Sequence, residues 1–512
     1  MPKERTRRDF LKCSAAGLGL LGLGPLACLL AEGPLSTTAP TRPATPATGP
    51  GRPPNIVLIL ADDMGWKDVG YNEAGYYETP NIDRLAKQGV TFTQAYACAG
   101  NCAPSRACLI SGQYTPRHGV YAVQSTSRGP AEHMRLVPVK NRVDLAGENV
   151  TVAEALKAAG YATAMFGKWH LSRPNKKDAA TEPEHQGFDM ALQCPTQGGS
   201  DDPKSIFTIT KTACAFIERN KDKPFFAYVA HHAIHSSQEA RPATLAKFKA
   251  KPAGKEHGDD KHSDMYAACT YDLDESVGIL LKKIDDLGLA DNTLVIFTSD
   301  NGGVPSSSQE PLRGAKGCYY EGGIRVPMVV RWPGHAKAGG SCDVPVANMD
   351  FYPTFLAASQ TAVPTGKELD GESLLPLLPG DGSLNREAIF WHFPGYLNNP
   401  VPRGRDKVFR CRPVSVIRKG AWKLHLYHEE WALDGAREKL DTNKAVELYN
   451  IADDIGERKD LALVEKRKRD ELLADLLAWI KRTKAPMASE ANKGYDPTAP
   501  ITQKGAKDDG EE

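Results

Sequence analysis

Asn55-Ile56-Val57-Leu58-Ile59-Leu60 runs directly into Ala61-Asp62-Asp63. An unbroken apolar run, with no polar residue at alternate positions, describes a strand buried on both faces, as in a parallel sheet covered by helices. Two further runs have the same character, Pro224-Phe225-Phe226-Ala227-Tyr228-Val229 and Thr293-Leu294-Val295-Ile296-Phe297-Thr298. Helical patterns fall between them, over Asn81–Gln88, Val152–Ala159 and Asp264–Leu287. Strands alternating with helices predict an α/β domain built on a mostly parallel sheet.

In such a sheet ligands bind beyond the carboxyl ends of the strands, and Asp62 and Asp63 fall at one of those ends. Adjacent carboxylates repel each other, so a pair held there calls for a cation. Asp300-Asn301 repeats the arrangement after Thr298-Ser299, ahead of Gly302-Gly303. Oxygen donors without a His/Cys cluster specify a hard cation, Ca²⁺ or Mg²⁺.

Past about Thr365 the pattern changes to short strands, Ala388–His392, Pro413–Ile417 and Trp422–Leu426, with Lys419-Gly420 as a hairpin connection. Glu447–Asn450 and a helix over Leu463–Thr483 complete a smaller antiparallel sheet packed by one helix. The stretch from Pro486 is polar and is expected to fray. The division expected is residues 1–33 as a targeting segment, 34–54 as a linker, 55–365 as the catalytic domain, 366–485 as an α+β subdomain and 486–512 as a polar tail.

The 512 residues carry 64 Lys+Arg against 63 Asp+Glu, a balance that argues against a nucleic-acid-binding surface. Beyond the N-terminus no apolar run is long enough to span a bilayer. Thr6-Arg7-Arg8-Asp9-Phe10-Leu11-Lys12 matches the twin-arginine export pattern, and an apolar Gly/Leu/Ala stretch follows to Leu30. That stretch is short, glycine-rich and broken by Pro25, so export to the periplasm or beyond by the twin-arginine translocase is expected rather than a membrane anchor. Pro25-Leu26-Ala27-Cys28 also resembles a lipoprotein cleavage site, with proline where leucine is usual, and a simple cleaved signal is favoured over lipid anchoring at Cys28. Seven prolines between Pro34 and Pro54 mark an extended linker. Export permits disulfides among the eleven cysteines, but spacing assigns no pairing.

Cys102-Ala103-Pro104-Ser105-Arg106 continues as Ala107-Cys108-Leu109-Ile110-Ser111-Gly112. If a helix begins here, Pro104 suits its first turn, Ser105 is a capping candidate, and Arg106 stands one turn from Cys102. The CxPSR pattern with its Leu-Ile-Ser-Gly continuation resembles the signature of the type I sulfatases, members of the alkaline phosphatase superfamily. In that family a maturation enzyme oxidises the cysteine to formylglycine. The hydrated aldehyde carries two geminal hydroxyls; one attacks sulfur, and the other later expels sulfate.

Other segments carry the same resemblance. Ala61–Trp66 and Thr298–Gly303 are similar to the family's metal-binding segments, which implies Asp62, Asp63, Asp300, Asn301 and the modified Cys102 as ligands. Gly160-Tyr161-Ala162-Thr163-Ala164-Met165-Phe166-Gly167-Lys168-Trp169-His170 resembles the second signature. Two apart on an extended chain, Lys168 and His170 would point the same way. The resemblance implies that Lys168 and Arg106 hold the aldehyde hydrate, while His170 orients it and acts as base when sulfate leaves. Ala230-His231-His232-Ala233-Ile234-His235 places a histidine where the family has one, at His235; His231 and His232 read as neighbours, with His232 as a possible pocket-lining residue. Leu312–Gly317 and Tyr320–Pro327 also match, so His235 and Lys316 would bind sulfate oxygens, one of them protonating the departing alcohol. Arg313 and His118 read as structural.

The resemblance covers Asn55 to about Leu461, with a variable insert over Ser172–Pro203. It implies an alkaline-phosphatase-like fold and hydrolysis of sulfate esters, of sulfated carbohydrates or aryl sulfates. Two alternatives remain: a formylglycine-dependent phosphonate monoester or phosphodiester hydrolase, and a catalytically inactive glycan-binding protein.

Overall fold

The central strand of the protein, β1 (Asn55–Ala61), is buried along its whole length, as its apolar run predicts. Alternate side chains enter different cores: Ile56, Leu58 and Leu60 pack on one face, Val57, Ile59 and Ala61 on the other. The computed structural model describes residues 52–172, 179–196, 198–251 and 263–501. The expected signal, Cys28, nearly all of the linker, parts of the Ser172–Pro203 insert and the end of the tail lie outside the described residues.

The remaining strands are β2 (Val90–Phe92), β3 (Ala95–Tyr96), β4 (Ala162–Gly167), β5 (Met190–Leu192), β6 (Phe225–Ala230), β7 (Thr293–Ser299), β8 (Met328–Arg331), β9 (Gly340–Cys342), β10 (Val346–Ala347), β11 (Ala388–Phe393), β12 (Val414–Lys419), β13 (Trp422–Tyr427) and β14 (Val446–Asn450). The main sheet has the order β5-β4-β6-β1-β7-β8-β2-β9. The five strands from β5 to β7 are parallel, and β8 runs antiparallel to both β7 and β2. The longer helices are α1 (Pro80–Gln88), α2 (Cys102–Ser111), α3 (Val152–Ala158), α4 (Ile206–Arg219), α5 (Pro242–Ala250), α6 (Asp264–Asp286), α7 (Phe351–Ala358) and α8 (Lys466–Thr483). Residues of α4 and α6 share one core with β1, β4, β6 and β7, and residues of α2, α3 and α7 fill the other.

A separate antiparallel sheet has the order β11-β12-β13-β14. Leu472, Leu473, Leu476, Trp479 and Ile480 of α8 pack on it with Val416 and Leu424, the i, i+3, i+4 stripe of an amphipathic helix. The hairpin lies one residue beyond the expected Lys419-Gly420. Lys419 pairs with Trp422, so Gly420 (φ 58°) and Ala421 form the turn, and the positive φ explains why glycine leads it. The tail beyond Pro486 does not fray at once. The Glu490 carbonyl accepts from the Val137 N–H (2.8 Å), and the Asn492 amide donates to the Met134 carbonyl (2.8 Å). Backbone pairing with residues 131–137 therefore orders a segment whose polar composition suggested otherwise.

The α2 helix begins at Cys102, behind Asn101 in extended conformation, and every residue of it is buried. Pro104 lies in the first turn as expected. Ser105 is not a cap: its N–H donates to the Asn101 carbonyl (3.2 Å) inside the helix, and its hydroxyl accepts from Asn348 Nδ2 (2.7 Å). The helix starts four residues earlier than a Ser105 cap would require, with Asn101 in the capping position. Among the described residues no disulfide forms.

Candidate active site

Four neighbouring parallel strands deliver the candidate site. β1 ends at Asp62-Asp63, β7 at Asp300-Asn301, β4 at Lys168, and β6 at the loop carrying His231, His232 and His235. In the β1–β7 register Ala61 pairs with Ser299, which brings the two acidic pairs side by side. The Asp63 N–H donates to Asp300 Oδ1 (3.1 Å), and Asn301 Nδ2 donates to Asp63 Oδ1 (2.8 Å). Asp62, Asp63, Asp300 and Asn301 are fully buried.

Buried carboxylates persist only when paired. Arg106 Nε and Nη2 each lie 2.8 Å from Asp300 Oδ2, and Nη2 is 3.7 Å from Asp62 Oδ1. Arg106 Nη1 donates to the Lys168 carbonyl (2.6 Å), tying α2 to the end of β4. Lys168 Nζ donates to Asp62 Oδ2 (2.7 Å) and Lys316 Nζ to Asp63 Oδ2 (3.0 Å). His235 Nε2 lies 3.8 Å from the same Asp63 oxygen. Burial pushes the Asp62 carboxyl up, but Lys168, His235, Arg106 and Lys316 together outweigh it and hold the group well below its usual range. Asp300 goes the other way, raised to about 7 by burial and by the Asp62 charge against the pull of Arg106. Burial lowers Lys168, yet Asp62 and Cys102 more than compensate, so its ammonium stays protonated.

Ligand atoms of Asp62, Cys102 and Asp300 all lie within 4.8 Å of one another. Asp62 Oδ1 and Asn301 Oδ1 are buried without a hydrogen-bond donor among the described residues. Two orphaned buried oxygens, beside an Asp300 whose proton affinity the Asp62 charge raises, are what a hard cation would satisfy. The donor set therefore fits Ca²⁺ or Mg²⁺. Asp63 is not one of the cluster of three; Asn301 donates to its Oδ1 and Lys316 to its Oδ2.

His170 departs from the sequence expectation. Its φ is 62°, in the left-handed region, so the two-residue alternation of an extended chain does not relate it to Lys168. Arg313 is structural, as expected: it donates to the Arg403 carbonyl, Tyr449 Oη and the Glu457 carbonyl. His118 is also scaffold. Its Nδ1 accepts from the Val120 N–H (3.2 Å) and its Nε2 faces Cys108 Sγ (3.4 Å).

Behind the site lies a buried ion cluster that no motif announced. Lys423 Nζ meets Glu321 Oε1 (2.9 Å) and Glu457 Oε1 (3.0 Å), and Arg325 Nη1 reaches Glu321 Oε2 (3.2 Å). It locks the segment after Lys316 to the small sheet. Lys423 and His425 alternate with Leu424 and Leu426 in a buried strand, and His425 Nε2 also lies 3.2 Å from Glu457 Oε1; two ionisable residues on one face of that strand are the signal that could have found the cluster.

The sulfatase family model matches residues 54–361, and a model described as N-sulphoglucosamine sulphohydrolase, C-terminal, matches residues 315–484. A sulfatase of Formosa agariphila is 33% identical over 85% of this chain and 90% of its own length. Human arylsulfatase A is 33% identical over 80% of this chain and 83% of its own. The solved structure of Ps i-CgsB has a TM-score of 0.66 at 27% identity, covering 86% of this chain and 95% of that one. The phosphonate monoester hydrolase of Agrobacterium radiobacter shares the fold, with a TM-score of 0.58 at 20% identity over 84% of this chain and 96% of its own. The chain belongs to the sulfatase family, and it is a sulfuric ester hydrolase on an alkaline-phosphatase-like fold.

Proposed function

We propose that the protein is exported and hydrolyses sulfate esters of carbohydrates, using formylglycine made from Cys102 and a divalent cation, Ca²⁺ or else Mg²⁺. The observation that carries this reading is the placement of Cys102. It opens α2, fully buried, with Asp62 and Asp300 against it and Arg106 one turn on. A buried thiol set among Arg106, Lys168, Asp62 and Asp300 stands where a nucleophile would meet both a cation and an anionic ester.

When formed, formylglycine supplies a hydrated aldehyde able to attack sulfur and later to expel sulfate. A bound divalent cation supplies charge against the sulfuryl oxygens. The protein's own residues divide the remaining work. Arg106, Lys168 and Lys316 pair with Asp300, Asp62 and Asp63 in turn, so an arriving cation and a sulfate ester meet acids and bases already held in place. Lys168, held by Asp62, fixes the nucleophile's oxygen. Lys316 and His235 converge on Asp63 and face the ester oxygens, where one of them hands a proton to the departing alcohol. His170 takes the proton back as sulfate leaves.

Carbohydrate esters are favoured by the relatives. The structure of Ps i-CgsB, 27% identical, is also known with k-i-k-neocarrahexaose bound, and human N-acetylgalactosamine-6-sulfatase is 31% identical over 68% of this chain. Maturation enzyme and twin-arginine translocase are the partners the reading requires. Rates on a panel of sugar sulfates, 4-nitrophenyl sulfate and a phosphodiester test it. Sugar sulfates should lead; preference for the phosphodiester would turn the assignment to the hydrolase alternative.

A further inference from the structure

Two polar side chains beside the candidate site take no part in the reaction above. His232 is 5% exposed, and its carbonyl accepts from the His235 N–H (3.0 Å). Its Nε2 lies 3.0 Å from the Cys194 carbonyl oxygen. A carbonyl only accepts, so Nε2 carries the proton and Nδ1 is left as an acceptor. Among the described residues no donor meets that Nδ1. Burial, aided by Lys168 and opposed by Asp62, lowers the ring's pKa to about 3, which keeps it neutral.

Lys204 is 2% exposed. Its ammonium has three protons to place, and the described residues offer one acceptor, the Ser237 carbonyl (2.9 Å). Ser237 follows the Ser236 carbonyl that faces His235 Nδ1 (2.6 Å), so Lys204 reaches the same loop as the proposed proton donor. Lys204 and Ser205 both have left-handed backbones, φ 53° and 55°. Two successive non-glycine residues in that region are costly and persist where surroundings over-determine them; here Glu239 accepts from the Lys204 N–H (3.1 Å). The Lys204 charge is felt at the His232 ring together with those of Lys168, Asp62 and Arg106. An under-used donor and an unmet acceptor thus flank the loop that carries His235.

We propose that Lys204 and His232 form a subsite for ring hydroxyls of the sulfated sugar: His232 Nδ1 accepts from one hydroxyl and the Lys204 ammonium donates to a hydroxyl oxygen. The subsite rests on the carbohydrate reading above. A hydroxyl both donates and accepts, whereas the ring of 4-nitrophenyl sulfate offers neither function there. Buried polar groups left unpaired are how a site rejects an analogue lacking the hydroxyl.

The test compares kcat and KM of wild type, Lys204→Met, His232→Phe and His232→Gln. The substrates are 4-nitrophenyl sulfate and whichever of N-acetylglucosamine 6-sulfate, N-acetylgalactosamine 6-sulfate and galactose 6-sulfate is turned over best. On the sugar, kcat/KM should fall about 10-fold for His232→Phe and about 10- to 100-fold for Lys204→Met beyond any loss on the aryl ester. The loss should lie mainly in KM, and His232→Gln, which restores an acceptor, should recover part of it. Equal losses on both substrates, or none on the sugar, would overturn the subsite while leaving the carbohydrate reading in place. A wild type active on the aryl ester but on no sugar of the panel would overturn both. If Lys204→Met does not fold, Lys204→Gln serves in its place.

Discussion

Arg106 grips Asp300 with two nitrogens, Nε and Nη2, each 2.8 Å from the same carboxylate oxygen, and neither residue touches solvent. One residue comes from a helix and the other from a strand end far along the chain, so the pair fixes Cys102 against the sheet. Removing one partner of a buried pair strands the other charge, a loss of about 3–5 kcal/mol. Arg106→Met should lower the melting temperature sharply and abolish turnover. Arg106→Lys should fold better yet remain impaired, since an ammonium cannot reproduce the two-nitrogen grip. Thermal melts beside kinetics check both outcomes.

The cluster behind the site makes a separate claim on stability. Lys423 is wholly buried between Glu321 and Glu457, and Lys423→Met should cost about 3–5 kcal/mol in a denaturant titration. Glu321→Gln combined with Lys423→Met should recover part of that, because the pair is removed together. An unchanged midpoint for Lys423→Met would contradict the cluster's role.

Much of this was legible in the chain and some was not. The run Asn55–Leu60 announced a strand buried on both faces because nothing polar interrupts it, and Asp62 and Asp300 followed as strand-end acids. The direction of His170 is not legible in the sequence, because a single left-handed residue breaks alternation without leaving a composition signal. Lys204 and the Lys423 cluster were missed for another reason. Their meaning lies in partners more than thirty residues away, such as Ser237 for Lys204 and Glu321 for Lys423, and only the fold supplies those.

Acid should weaken the fold through buried histidines remote from the site. Burial, with Lys367 adding to it, lowers His118 to about 3; burial lowers His392 to about 4 against the pull of the Pro486 carbonyl. Unfolded, both would titrate near about 6.5. Between those values the unfolded chain binds protons that the native state refuses, so this contribution is complete above about pH 6.5 and is lost as pH falls toward 4 and below. Melting temperature should drop over that window, and His118→Gln with His392→Gln should flatten the slope. An unaltered slope would assign the acid sensitivity to other groups.

Chelation should both inactivate and destabilise the enzyme, since the buried oxygens Asp62 Oδ1 and Asn301 Oδ1 would then lose the cation that satisfies them. Ca²⁺ or Mg²⁺ should restore activity and raise the melting temperature in a concentration-dependent way. Rescue by Zn²⁺ alone would contradict the oxygen-only ligand set.

Leaving-group chemistry separates the two residues on Asp63. If His235 or Lys316 is the proton donor, its Ala variant should lose roughly 10²–10⁴-fold on a sugar sulfate and far less on 4-nitrophenyl sulfate, whose phenolate leaves unaided. Equal losses on both would make that residue a sulfate-binding group. His170→Ala should instead accumulate sulfated enzyme, seen by intact mass, because its work follows departure of the alcohol.

The most direct test of the proposed chemistry is the mass of the peptide containing residue 102, taken from active enzyme, together with the turnover of Cys102→Ala. The thiol should be replaced by an aldehyde in proportion to specific activity, and Cys102→Ala should fold normally with no turnover. Active enzyme carrying an intact Cys102 thiol, or an active Cys102→Ala variant, would contradict it.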